Sequence, residues 1–163
     1  MLRCKISPDH EGLNKLHEQF KWIPNSENIR PTPAVLEAKV ATLEIIDQQW
    51  MSCKDFILHK VFKRECKKIV DRYYVPDMNI DETTIVFAPN EFPYSIETGN
   101  HWVLWYGCIE QPYSDDRINM DVNKELQRVL EGSQNYDFAW YENPKMSIPD
   151  FYHIHVFWTT TSG

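Results

Sequence analysis

The sequence predicts an α+β fold, a mostly antiparallel sheet of four to five strands covered on one face by two to three helices. Three observations lead there. Residues 32–75 repeat apolar side chains at helical spacing; residues 83–159 break into short β-branched and aromatic runs separated by turn residues; and no repeat or low-complexity tract divides the 163 residues. Residues 1–163 are therefore expected to form a single domain around one core.

Each element has its own local reason. Residues 1–31 contain Pro8, Gly12, Pro24 and Pro31 and follow no sustained period, which reads as an extended arm anchored by Phe20, Trp22 and Ile23, with room for a short helix near 12–20. Thr32 followed by Pro33 is an N-cap with proline at the first helical position, and Val35, Leu36, Val40, Leu43 and Ile46 carry that helix to about Trp50. Ser52 and Asp55 resemble a capping box, and Phe56, Ile57, Val61, Cys66, Ile69, Val70 and Tyr73 extend a second helix to about Tyr74, before Pro76, completing a helical pair over 32–75. Strands are expected at 83–87, 101–109, 136–141 and 152–159. Between the second and third of these, a helix over 121–131 has Asp121 as its N-cap candidate and Gly132 as its stop.

Composition bounds the function. Hydrophobic residues make up 42% and aromatics 13%, enough apolar surface to exclude a disordered chain. No run approaches the roughly 18–20 apolar residues that span a bilayer, and Met1-Leu2-Arg3-Cys4-Lys5 lacks the apolar core of a signal peptide, so no membrane partner is expected. Cys4, Cys53, Cys66 and Cys108 are too sparse for a disulfide framework and read as reduced thiols, giving a cytoplasmic expectation. The net charge of −7 argues against general nucleic-acid binding, except for a nucleotide or cap-like ligand. Within it, residues 52–72 hold seven basic side chains against three acidic ones: a solvated helix face, or a source of long-range attraction for an anion.

The chemistry concentrates in the C-terminal half. Alternation along 152–158 puts His153, His155 and Phe157 on one face of a strand and Tyr152, Ile154, Val156 and Trp158 on the other. The two Cβ atoms then stand roughly 6.5–7 Å apart, which lets both imidazoles reach one metal ion or one phosphate. His101 opens the other aromatic strand. If its face matches, His101, His153 and His155 form the three-ligand set of an open site for one divalent metal, zinc or iron. Glu97, Asp137, Glu142 and Asp150 are the acidic candidates for a further ligand or a base. Five glycines leave no phosphate-cradling loop, and neither a Gly-x-Ser-x-Gly elbow nor a His-Glu-x-x-His helix occurs. Most of the six tryptophans belong to the core; Trp105, on the His101 face, and Tyr94 are the aromatic candidates for ligand contact.

Phe92-Pro93-Tyr94, His101-Trp102-Val103-Leu104-Trp105, Asn143-Pro144, Ser147-Ile148-Pro149 and His153-Ile154-His155-Val156-Phe157 follow one another in an order that resembles the fungal and viral N-acetylglucosamine-induced protein family, a family without a settled activity. The likeness spans residues 90–158. It implies that His101, His153 and His155 belong to one site, with Asn143 and Ser147 as neighbours. A looser likeness is to the histidine-triad nucleotide hydrolases and transferases, but Phe157 stands at the third alternate position and five residues separate Ser147 from His153.

Together these point to a histidine-centred hydrolase acting on a phosphorylated or sugar-containing small molecule. His153 and His155 would be catalytic, Trp105, Tyr94, Asn143 and Ser147 ligand-binding, and His101, His153 and His155 the ligands in the metal-dependent version. The rival is a non-catalytic, aromatic-lined module that binds a nucleotide, cap-like or sugar ligand.

Overall fold

A computed structural model describes residues 4–5, 31–94, 99–107, 113–132, 134–142 and 151–161. Among the described residues three helices, α1 (Pro33–Gln49), α2 (Cys53–Lys60) and α3 (Asp115–Val129), accompany seven strands: β1 (Cys4–Lys5), β2 (Lys67–Ile69), β3 (Arg72–Tyr74), β4 (Ile85–Pro89), β5 (Asn100–Tyr106), β6 (Asn135–Tyr141) and β7 (His153–Thr161). Apart from Cys4 and Lys5, the arm expected over the first thirty residues, with Phe20, Trp22 and Ile23, lies outside the described residues.

The main sheet runs β1-β6-β7-β5-β4 with every pairing antiparallel, and β2 and β3 form a separate hairpin. The α+β expectation holds. What differs is the coverage. One face packs Leu104, Tyr106, Phe138, Trp140, Ile154 and Val156 against Ile118, Val122 and Leu126 of α3, while the opposite face sets Val103 and Trp105 against Ile57 and Leu58 of α2. Helices thus cover both faces, not one, because the central strands β5 and β7 carry large apolar or aromatic side chains at odd and even positions alike. Each such side chain contributes about 1.5–3 kcal/mol when buried, so neither face is left to water.

The first helix starts as its sequence dictates: Thr32 Oγ1 accepts from the Val35 N–H, and Pro33 follows it. Ser52 caps α2 by accepting from the Asp55 N–H, and its hydroxyl donates to the Asp55 carboxylate. Asp55 is buried, and its other oxygen accepts from the Val75 N–H at 2.8 Å, tying the helix start to the segment after β3.

That second helix does not reach Tyr74. It stops at Lys60, Lys63 turns into the left-handed region (φ +58°), and the Arg64 N–H closes on the Leu58 carbonyl while His59 Nδ1–H donates to the Arg64 carbonyl. Ile69 and Tyr73, which continued the helical period, belong to the β2–β3 hairpin instead, with Val70 in its turn (φ +55°). The basic segment is consequently spread over a helix, a turn and two strands.

The third helix begins earlier than expected, at a Ser114 cap whose Oγ accepts from the Arg117 N–H. Asp121 is no cap. It is buried inside the helix, accepting from the Tyr106 hydroxyl at 2.8 Å and from Arg117 Nε at 2.9 Å. Gly132 (φ +65°) returns its N–H to the Gln127 carbonyl and ends the element near its expected stop.

Candidate active site

β7 is the middle strand of the sheet, and its register fixes the site. His101 lies opposite Phe157, Val103 opposite His155 and Trp105 opposite His153, so the odd-numbered residues of β5 and β7 share a face. His101 and His155 are diagonal neighbours there, close enough for their side chains to meet. They do: His101 Nε2 is 2.7 Å from His155 Nδ1.

The hydrogen-bond partners assign each ring its proton. The Tyr94 N–H donates to His101 Nδ1 at 3.0 Å, so the neutral His101 carries its proton on Nε2 and donates it to His155 Nδ1. Asn90 Nδ2 stands 3.3 Å from the same Nε2, but an N–H cannot accept from it. His155 therefore keeps its own proton on Nε2. In His153 the order reverses: Nδ1–H donates to the Phe151 carbonyl at 2.9 Å, leaving a lone pair on Nε2. Side by side on one strand, His153 offers an acceptor and His155 a donor. Neither Nε2 has a hydrogen-bond partner among the described residues.

Aromatic rings hold this arrangement. Trp105 stacks on His153 with centroids 4.5 Å apart, Tyr141 stacks on His155 at 4.9 Å, and Phe157 stacks on His101 at 4.4 Å. Tyr94 packs on His101 and His155 while its hydroxyl meets that of Tyr141 at 2.9 Å. The 6.1 Å between the His153 and His155 centroids is the spacing expected of alternate strand residues.

Burial keeps the imidazoles uncharged. Desolvation lowers His101 well below the ordinary imidazole value, and His155 adds a repulsive contribution. Desolvation, with repulsion from His153 and Lys39, pushes His155 down to about 3. His153 is lowered by burial, partly offset by its bond to the Phe151 carbonyl. All three are neutral at physiological pH.

His153 and His155 line a pocket of about 490 Å³ between the sheet and the helices α1 and α2. Its walls include Leu43 and Ile46 of α1, Phe56 and Ile57 of α2, and Val103, Trp105, Phe92 and Tyr94. Lys39, Lys60 and Lys63 also line it; Lys60 is paired with Glu91 at 3.2 Å. The size and the apolar lining with a few convergent polar groups are those of a small-molecule site.

Of the residues singled out in the sequence, His153, His155, Trp105 and Tyr94 meet at this pocket, and His101 stands behind His155 as its hydrogen-bond donor. Asn143, Ser147, Glu97 and Asp150 lie outside the described residues. Glu142 accepts from the Tyr152 hydroxyl, and Asp137 from the Phe138 N–H. Trp102, Trp140 and Trp158 are packed against the core on the α3 side. Among the described residues no group of three His, Cys, Asp or Glu side chains is placed to hold a metal ion. Lys39, Phe56 and Asn90 were not evident from the sequence; Lys39 shares a helical face with Leu43 and Ile46, a signal masked by their being read as core alone.

No helix among the described residues is long and apolar enough to cross a membrane. Comparison with family models, curated proteins and solved structures returned no match, so the chemistry rests on the geometry of this site.

Proposed function

We propose that the pocket is the active site of a histidine-centred hydrolase for a small anionic molecule, phosphorylated or sugar-containing. The supporting observation is the pair of neutral imidazoles with opposite tautomers at the floor of the pocket. His153 Nε2 takes a proton from water as the water oxygen bonds to a carbonyl or phosphoryl centre. The His155 N–H donates to the oxygen on which charge grows, acting as an uncharged electrophile. The bond to the leaving group then breaks, and the proton held by His153 passes to it. Lys39, close enough to repel a proton from His155, favours an anionic group beside the reacting centre.

The test is a panel of phosphatase, nucleotide-hydrolase and amidase substrates with wild-type protein and with His153→Ala and His155→Ala. Turnover that falls about 10²–10⁴-fold in either variant supports the reading. Absence of histidine-dependent turnover overturns it.

A second reading is favoured by the largely apolar walls and by the weak basicity of His155: a non-catalytic module that holds a planar or sugar ligand against Trp105. Saturable quenching of tryptophan fluorescence with the ligand recovered unchanged distinguishes it from catalysis.

A further inference from the structure

The tautomers say more than that two histidines face a pocket; they restrict what can sit on them. A phosphate or carboxylate group presents only acceptors, so it would match the His155 N–H and oppose the lone pair of His153. Neither imidazole carries charge to offset the desolvation of an anion at that floor. Cations lie elsewhere on the lining: Lys39 on α1, Lys60 in its pair with Glu91, and the exposed Lys63.

A group with an N–H beside a C=O satisfies both nitrogens at once. Its N–H donates to His153 Nε2 while its carbonyl accepts from the His155 N–H. Such a cis-amide edge occurs on flat lactam and imide rings, including those of nucleobases, and a flat ring suits the stacking surfaces of Trp105, Phe56 and Tyr94.

We infer that the part of the ligand seated on His153 and His155 is an uncharged cis-amide edge of a planar ring, with the negative charge carried on a separate group toward Lys39. This rests on the pocket being the small-molecule site proposed above, in its binding form: a ring N–H seated on His153 Nε2 occupies the nitrogen that would otherwise take a proton from water. His101 and the Tyr94 N–H serve as the positioning groups that hold His155 as a donor.

The experiment titrates three probes into the full-length protein and follows tryptophan quenching: uridine or inosine monophosphate, the same nucleotide methylated on the ring N–H, and ribose phosphate. The expected result is saturable binding of the nucleotide, weakened about tenfold by methylation, the equivalent of one lost hydrogen bond of ~1.4 kcal/mol. In His153→Ala the nucleotide should fall to the level of its methylated form, and methylation should then cost nothing. If the methylated nucleotide or ribose phosphate binds wild type as tightly as the parent nucleotide, and His153→Ala still weakens binding, the cis-amide inference is overturned while the pocket stands. No saturable quenching by any probe overturns both.

Discussion

At the scale of single residues, a donor and an acceptor at alternate positions of one strand arise from two backbone contacts. The Phe151 carbonyl fixes His153, and the Tyr94 N–H, acting through His101, fixes His155. His101 is thus a positioning residue, and its replacement should show it. His101→Phe leaves His155 Nδ1 and the Tyr94 N–H without their partner, which should lower the unfolding free energy by about 1–3 kcal/mol in urea titration. The same variant should lose the preference of His155 for the Nε2–H tautomer, a change that loss of packing alone would not produce; His101→Gln, which keeps a donor, should retain it in part. The shared face of His153 and His155 was legible because strand alternation is local. The proton positions were not, since they depend on a carbonyl two residues away and on a partner 54 positions earlier in the chain, brought close only by the β5–β7 register.

At the scale of elements, α1 was legible from Thr32-Pro33, because capping is a contest among neighbouring backbone groups that the sequence decides on the spot. The end of α2 was not. Cys66, Ile69, Val70 and Tyr73 recur at a spacing that suits a helix, and the hairpin turn carries no glycine or asparagine to announce itself. Val70 instead adopts φ +55° with its side chain 89% exposed, so a β-branched residue holds a left-handed conformation without burying anything in return. Val70→Gly should therefore stabilise the protein by about 1 kcal/mol, the relief of left-handed strain outweighing the added freedom of the unfolded chain. A rise in the denaturation midpoint with an unchanged urea slope would bear this out; a fall would show that the turn is held by something other than backbone preference. The start of α3 was missed for a related reason: Asp121 has the chemistry of a cap, but its carboxylate is engaged by Tyr106 across the core and by Arg117 one turn earlier.

At the scale of the whole molecule, the sheet divides two kinds of work. The face under α3 is a packed apolar core, while the face under α1 and α2 holds three neutral histidines, His101 and His153 buried and His155 partly so, and a pocket. The alternation within each strand predicted this division, but not that each side would gain a helix cover, because which helix crosses to which face is a matter of chain topology and not of local pattern. Keeping His101, His153 and His155 neutral couples the fold to pH. Their folded-state values lie below the ordinary 6.5, so the unfolded chain binds protons that the folded one refuses. Stability should be full above pH 6.5 and fall as the pH drops from there toward the His155 value of about 3, each histidine adding up to about 1.4 kcal/mol per pH unit within its own window. Urea midpoints across this range check it, and His155→Phe should flatten the decline. The functional reading needs the three rings in their assigned tautomers, and nitrogen-15 NMR of the imidazole side chains tests this directly. At neutral pH His153 should appear as the Nδ1–H tautomer, with His101 and His155 as Nε2–H tautomers and no ring charged; an Nε2–H His153, or a charged ring among the three, would contradict it.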